Sequence, residues 1–314
     1  MIAALAGGVG AARMLRGLAA VVPPSDICAV VNTGDDFVLH GLQISPDLDT
    51  VTYTLAGAVN PETGWGLAGE TWRAMEALER YGGQTWFRLG DRDLGTHLYR
   101  TQRRAEGATL SEITAEISAA WDVAVRLLPV SDDPVRTMLT IGGLTVEGEG
   151  EIDFQDYFVA RHHDVVVSAV RFAGAETSRP GPGVLAALAD AEVVVVCPSN
   201  PIVSIGPVLA VPGVRAALAR RRDRTVAVSP IVAGAALKGP ADRLLRELGH
   251  DSSVVGVARI YAELAAVLVI DEADADLADA VEDQGMRAVV APTVMSSPDR
   301  AAALARVALA AVAG

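Results

Sequence analysis

Six short aliphatic runs constrain this chain more than any other feature. They are "IAALA" after the first residue, "ICAVV" at 27–31, and runs at 193–197, 225–228, 267–270 and 287–290. None alternates apolar with polar residues, so each reads as a strand buried on both faces, the pattern of a parallel sheet. Stretches with helical spacing separate several of them, at 183–190, 212–221, 240–248 and 275–284. Pro212 and Pro240 stand at expected first helical positions. Strand–helix alternation of this kind predicts an α/β fold: a Rossmann-like, doubly wound, mainly parallel sheet.

The middle of the chain breaks the alternation. Residues 68–121 read as an all-helical insertion, which divides a core of 1–67 and 122–314. Within it, "TLSEITAEISAAW" carries a capping box from Thr109 to Glu112 and places Leu110, Ile113, Ile117 and Trp121 on one face. Residues 135–153 read as a small β element, a hairpin turning at Gly142-Gly143.

Charge and composition remove several function classes. A net charge of −13 opposes a nucleic-acid backbone or an anionic membrane as partner. Cys28 and Cys197 each sit in an apolar run, which predicts buried free thiols rather than a disulfide or a zinc site. No signal-peptide pattern is evident and no apolar run has the ~20 residues of a membrane span. The expectation is a soluble, cytoplasmic protein.

Polar residues concentrate where the strands end. "GGVGAAR" follows the first strand, with Gly7, Gly8, Gly10 and Arg13. Such a turn lets a phosphate approach backbone N–H groups at a helix N-terminus, or it is simply a tight turn. Arg13 replaces the third glycine of a dinucleotide fingerprint, and Asn32 ends the second strand where an acid is wanted, so a nicotinamide cofactor is disfavoured.

"NTGDDFVLHGLQISPDLDT" then supplies Asp35, Asp36, Asp47 and Asp49. Ser45 and Pro46 would begin a helix there, and capping accounts for part of the cluster. Four carboxylates exceed that need, and hard oxygens at a strand's carboxyl end suit Mg²⁺ and a phosphate. Further on, "WFRLGDRDLGTHLYRTQRR" contributes Arg88, Asp91, Asp93, His97 and Arg100. "FQDYFV" contributes Phe154, Tyr157 and Phe158, and "PSNPIVSIGP" contributes Ser199, Asn200, Ser204 and Gly206. Lys238, the only lysine beside 25 arginines, lies in "SPIVAGAALKGPADRLL".

Together with "LPVSDDPVRT", these motifs run in order from residue 7 to about 245 and resemble the CofD family of 2-phospho-L-lactate transferases, called FbiA in actinobacteria. The resemblance implies a Mg²⁺-requiring step in making the deazaflavin coenzyme F-420. A phospho-enolpyruvyl or 2-phospho-L-lactyl group passes from a guanylylated carrier to the terminal ribityl hydroxyl of the deazaflavin Fo, and GMP leaves.

On this chain the family's Fo-binding positions correspond to Asp49 and Arg88, with Asp91, His97, Phe154 and Tyr157 as further substrate contacts. The nucleotide would lie against Gly7, Gly8, Gly10, Asn32, Ser199, Asn200, Ser204, Gly206 and Lys238. Asp35, Asp36, Asp47 and Asp49 would supply the metal ligands. A carboxylate near the hydroxyl would act as base, Asp49 first and Asp36 second. The resemblance also implies a homodimer. A relative of the gluconeogenesis-factor type, which binds nucleotide-sugars without transfer, is the alternative.

Overall fold

The computed structural model of the chain describes residues 1–142 and 150–312. Its centre is a seven-stranded parallel sheet. The strands are β1 (Ile2–Ala6), β2 (Ile27–Val31), β3 (Arg126–Pro129), β4 (Val193–Val196), β5 (Thr225–Val228), β6 (Val267–Ile270) and β7 (Arg287–Val290). Their order is β7-β6-β5-β4-β1-β2-β3. Ala4 pairs with Ala29 on one side and Val195 on the other.

Successive residues alternate between two apolar layers. Leu5, Val30 and Val196 enter one, while Ala4, Ala29 and Val195 enter the other. Both layers are closed by helices, so the inner strands have no solvent face, and this is why their sequence shows no polar alternation. Helices α1 (Gly8–Ala19) and α2 (Pro46–Leu55) follow β1 and β2. The C-terminal helix, Pro298–Ala310, crosses α1 so closely that a Cβ on Gly17 would lie 2.4 Å from the Ala301 carbonyl oxygen. The strand order reverses between β1 and β4. In open α/β sheets the crevice beyond such a switch point is where ligands bind.

Several details differ from the sequence reading. Residues 68–121 are not all helical: α3 (Arg73–Arg80), α4 (Asp93–Ala105) and α5 (Leu110–Ala120) flank an irregular stretch at 81–92. Gly82 with positive φ opens that stretch, and Trp86 and Phe87 then fold back onto Phe37. Phe37 belongs to a hairpin, Phe37–Leu39 with Leu42–Ile44, inside the acidic stretch, where the sequence reading had no strand. His40 and Gly41, both at positive φ, turn it.

The β element at 135–153 does form antiparallel strands, Arg136–Ile141 and Gly150–Asp153, but Val167–Ala173 adds a third. Gly143 of the expected turn lies outside the described residues. Pro212 and Pro240 precede their helices rather than occupying the first turn, since those helices are Val214–Ala219 and Ala241–Glu247.

Candidate active site at the sheet switch point

The glycine turn is built for close packing. Gly8 has φ +72°, a conformation side chains rarely adopt. A Cβ on Gly7 would meet Ser204 Cβ at 2.9 Å and Asp47 Oδ2 at 3.0 Å, and one on Gly10 would meet the Pro198 carbonyl oxygen at 2.1 Å. The 198–206 loop therefore presses directly on the start of α1. Ser199 Oγ donates to the Gly7 carbonyl at 2.8 Å. The Asn200 side-chain oxygen accepts from the N–H of Ile202 and Val203 at 2.9 and 3.3 Å. Its amide nitrogen is buried with no hydrogen-bond partner among the described residues. Gly206 avoids Phe172, whose ring would lie 2.8 Å from a Cβ there.

Two residues expected at the nucleotide instead hold a carboxylate. Gly8 N–H donates to Asp47 Oδ1 at 2.8 Å, and Asn32 Nδ2 donates to Asp47 Oδ2 at 2.9 Å. Asn32 is fully buried, and its oxygen accepts from Gly34 N–H at 2.8 Å. Asp47 thus takes the first N–H of α1, because a helix N-terminus favours an internal carboxylate as readily as a phosphate.

The four aspartates divide into three and one. Asp35 and Asp47 are buried and Asp36 is half-buried, in one patch at the end of β2. Burial, then the Asp47 and Asp36 charges, holds the Asp35 carboxyl well above its usual range. Burial also pushes Asp36 up to about 8, partly offset by a hydroxyl bond from Ser45 Oγ at 2.7 Å. Asp47 is pushed up to about 6 by burial, against the bonds from Asn32 and Gly8. Ser45 begins α2 as expected, but its hydroxyl serves Asp36 rather than the helix N-terminus. Asp35 Oδ1 and Asp36 Oδ1 are buried with no partner among the described residues. Unpaired hard oxygens on two adjacent carboxylates fit Mg²⁺, which takes one or two carboxylates and completes its shell with water and phosphate.

Asp49 is held by a guanidinium. Arg100 Nη1 donates to Asp49 Oδ2 at 3.2 Å and Nη2 to Oδ1, and both side chains are buried. A carboxylate neutralised by a buried guanidinium is a poor base and a poor cation ligand. Burial works against the Arg100 charge, but Asp49 and Asp36 outweigh it and raise its pKa.

His97 is 1% exposed and presents almost no surface to a ligand. Its Nδ1 lies 3.7 Å from Asp49 Oδ2 and its Nε2 lies 3.2 Å from Asp93 Oδ2. Ligand atoms of Asp49, Asp93 and His97 fall within 4.8 Å of one another, and Arg100 bonds Asp49 within this cluster, leaving it a compact charged network. Asp93, His97 and Arg100 follow i, i+4, i+7 spacing on one face of α4, a polar stripe visible in the sequence that was read as separate residues.

Beside this network lies a narrow cleft walled by Trp65, Trp72, Arg88, Glu70 and Asp93. The Arg88 guanidinium sits 4.4 Å over the Trp72 ring. The two tryptophans were not singled out from sequence; only the Arg88 end of this cleft was. Asp91 does not join it as a ligand contact. Its oxygens accept from Thr71 and from the N–H groups of Arg73 and Ala74, capping α3.

Phe154 and Tyr157 are also elsewhere. They are buried with Leu139, Val167, Val203 and Leu244 in a small core behind the 198–206 loop. Lys238 does approach the site: its Nζ donates to the Thr63 carbonyl at 3.1 Å. A Cβ on Gly64 would lie 3.7 Å from both Lys238 Nζ and Arg13 Nη2, so two cations converge near the start of α1.

The carboxylate patch has a pH consequence. Groups raised to about 8 and about 6 stay protonated in the folded chain where the unfolded chain has released its protons. These groups therefore favour folding at low pH, and that stability is lost as pH rises towards the folded pKa, by up to about 1.4 kcal/mol per pH unit per group. A bound cation replaces those protons. The rise in melting temperature caused by Mg²⁺ is expected to grow between about pH 6 and pH 8. A rise that shrinks with pH would show that these carboxylates do not take the ion.

Comparison with known proteins adds identity to this geometry. The family model described as "2-phospho-L-lactate transferase CofD" matches residues 2–299. A protein of Streptomyces griseus named "Phosphoenolpyruvate transferase" is 46% identical over 311 residues, covering 98% of this chain and 97% of that one. One of the same name from Thermobifida fusca is 43% identical over 314 residues, covering 97% and 95%. A crystal structure of a upf0052 family protein from Bacillus halodurans superposes with a TM-score of 0.62 at 16% identity, over 98% of both chains. That likeness speaks for the fold. Among the described residues no helix is long and apolar enough to cross a membrane.

Proposed function

The chain belongs to the CofD family of 2-phospho-L-lactate transferases, and on that premise we propose that it makes the phosphate-diester link of coenzyme F-420. The terminal ribityl hydroxyl of Fo attacks the phosphorus bearing a three-carbon acid in a guanylylated donor, and GMP leaves. Relatives of similar length named for phosphoenolpyruvate favour the enolpyruvyl donor over the lactyl one.

The observation that carries the chemistry is the pair of buried carboxylate oxygens on Asp35 and Asp36 beside the glycine turn, which have no partner among the described residues. Asp35 and Asp36 are the residues that would hold Mg²⁺, with Asp47 behind them. The ion supplies charge neutralisation for the diphosphate. Arg13 and Lys238 add positive charge at the same end of α1, and the orphaned Asn200 amide is a donor free for the nucleotide. The Trp65–Trp72–Arg88 cleft is the surface on which a flat deazaflavin ring stacks. Its open space is about 30 Å³, so a ring enters by displacing Trp65, which is half exposed. A homodimer belongs to the same proposal and is read out by light scattering.

The test is to incubate the purified protein with Fo, Mg²⁺ and both guanylylated donors, and to follow GMP release and product mass. Enolpyruvyl-phospho-Fo with stoichiometric GMP is the expected result. No product from either donor, together with tight nucleotide-sugar binding, would replace the transferase with a binding protein.

A further inference from the structure

We propose that Asp93 accepts the proton of the attacking hydroxyl and that His97 is the positioning residue behind it; this deepens, and rests on, the transferase reading above. Asp93 is the first residue of α4 and forms part of the cleft wall together with Trp65, Trp72 and Arg88. Glu70 is the other carboxylate on that wall, but its two oxygens accept from the N–H groups of Arg92 and Asp93, each at 2.8 Å. The remaining acids near the crevice are committed as well, Asp49 to Arg100 and Asp47 to Gly8 and Asn32. Asp93 is thus the carboxylate that faces the cleft without a backbone or guanidinium partner of its own.

Its orientation is held from inside the protein. Tyr53 O–H donates to Asp93 Oδ1 at 2.6 Å, and His97 Nε2 stands 3.2 Å from Oδ2. The His97 ring cannot turn freely, because it is 1% exposed and Arg100 Nη1 lies 3.4 Å from Nδ1. A guanidinium only donates, so Nδ1 carries the lone pair and the ring proton sits on Nε2, towards Asp93. Arg100 thereby sets the His97 tautomer. His97 Nε2 makes no well-aligned hydrogen bond among the described residues, and its 3.2 Å approach to Asp93 Oδ2 is a close polar contact that backs the carboxylate. Each Asp93 oxygen keeps a second lone pair for a proton arriving from the cleft. Burial works against the Asp93 charge, yet the His97 contact and the Tyr53 bond win and hold its carboxyl below the usual range, so it is ionised at neutral pH.

A weakly basic aspartate suits this reaction. Phosphoryl transfer through a loose transition state needs the hydroxyl placed and its proton received, rather than removed early by a strong base. In the step, the hydroxyl O–H bond breaks and its proton passes to Asp93. The oxygen bonds to the phosphorus that carries the three-carbon acid. The bond from that phosphorus to the GMP oxygen breaks, and GMP leaves with the electron pair.

The experiment compares Asp93→Asn and Asp93→Ser with the wild type, reading kcat from GMP release and deazaflavin affinity from its visible absorbance. Serine is tolerated at a helix start, which guards against a variant that fails to fold. The expected result is a fall in kcat of about 10²–10⁴-fold with deazaflavin affinity within about threefold. A folded variant that keeps kcat within about tenfold overturns the assignment, as does one that loses only deazaflavin affinity. A wild type that releases no GMP from either donor sinks the transferase reading instead, and the two failures are distinct. For His97, His97→Gln retains an N–H for Asp93 and is expected to keep more kcat than His97→Ala. Equal losses in both, or a rise in KM alone, would remove its positioning role.

Discussion

Asp36→Asn is expected to lower transfer by about a hundredfold or more while raising the melting temperature of the metal-free protein at pH 8. The two effects have one cause. Asp36 is half-buried beside Asp35, Asp47 and Asp49, with its Oδ1 buried, and its carboxyl is pushed up to about 8. At pH 8 the folded chain is still giving up the proton of a carboxyl whose charge burial and like charges oppose, whereas the unfolded chain has ionised it without cost. Asparagine removes that charge and still accepts the Ser45 hydroxyl, which now bonds Asp36 Oδ2 at 2.7 Å. The same change removes one of two hard oxygens left without a partner at the site. Steady-state GMP release and thermal melts in EDTA check both halves. A variant that is inactive and also less stable at pH 8 would make Asp36 a structural group rather than a cation ligand.

Arg100→Met is expected to cost about 3–5 kcal/mol, because it strands the Asp49 carboxylate in the interior. Arg100 is 2% exposed and Asp49 5%, so water cannot replace the lost partner. In a chain of this length such a loss lowers the melting temperature by roughly 5–10 °C. Asp49→Asn strands the guanidinium in turn, so an Asp49 variant that lost activity would not by itself identify a catalytic group. The double variant, Asp49→Asn with Arg100→Met, is expected to recover part of the loss, since neither charge then remains buried alone. Strictly additive losses would show that the pair is not energetically linked. Because Arg100 also faces His97 Nδ1 at 3.4 Å, kcat should fall in Arg100→Met beyond what instability explains.

The parallel core was legible because its signal is local. Strands such as Val193–Val196 carry no polar residue, and the helical stretches between strands keep their apolar spacing. Motif order along the chain was legible for the same reason. Pairing across the chain was not. The hairpin at Phe37–Ile44 is a three-residue pairing held by Trp86 and Phe87 from some forty residues on, and nothing within it announces a strand. The third strand of the small sheet, Val167–Ala173, likewise pairs with Arg136–Ile141 from a distant part of the chain.

The site divides along the same line. The sequence by itself determined that carboxylates, glycines and a polar loop gather at the carboxyl ends of parallel strands, because chain direction places every strand–helix turn at that edge. It also determined the family. Only the tertiary structure decided which of those groups are spent on one another. Asp49 meets Arg100 from 51 positions away, Asp47 meets Gly8 from 39, and Asp91 caps a helix that begins 18 residues before it. An ionisable group's role depends on its burial and its nearest partner, and both are properties of a folded neighbourhood rather than of a position in the chain.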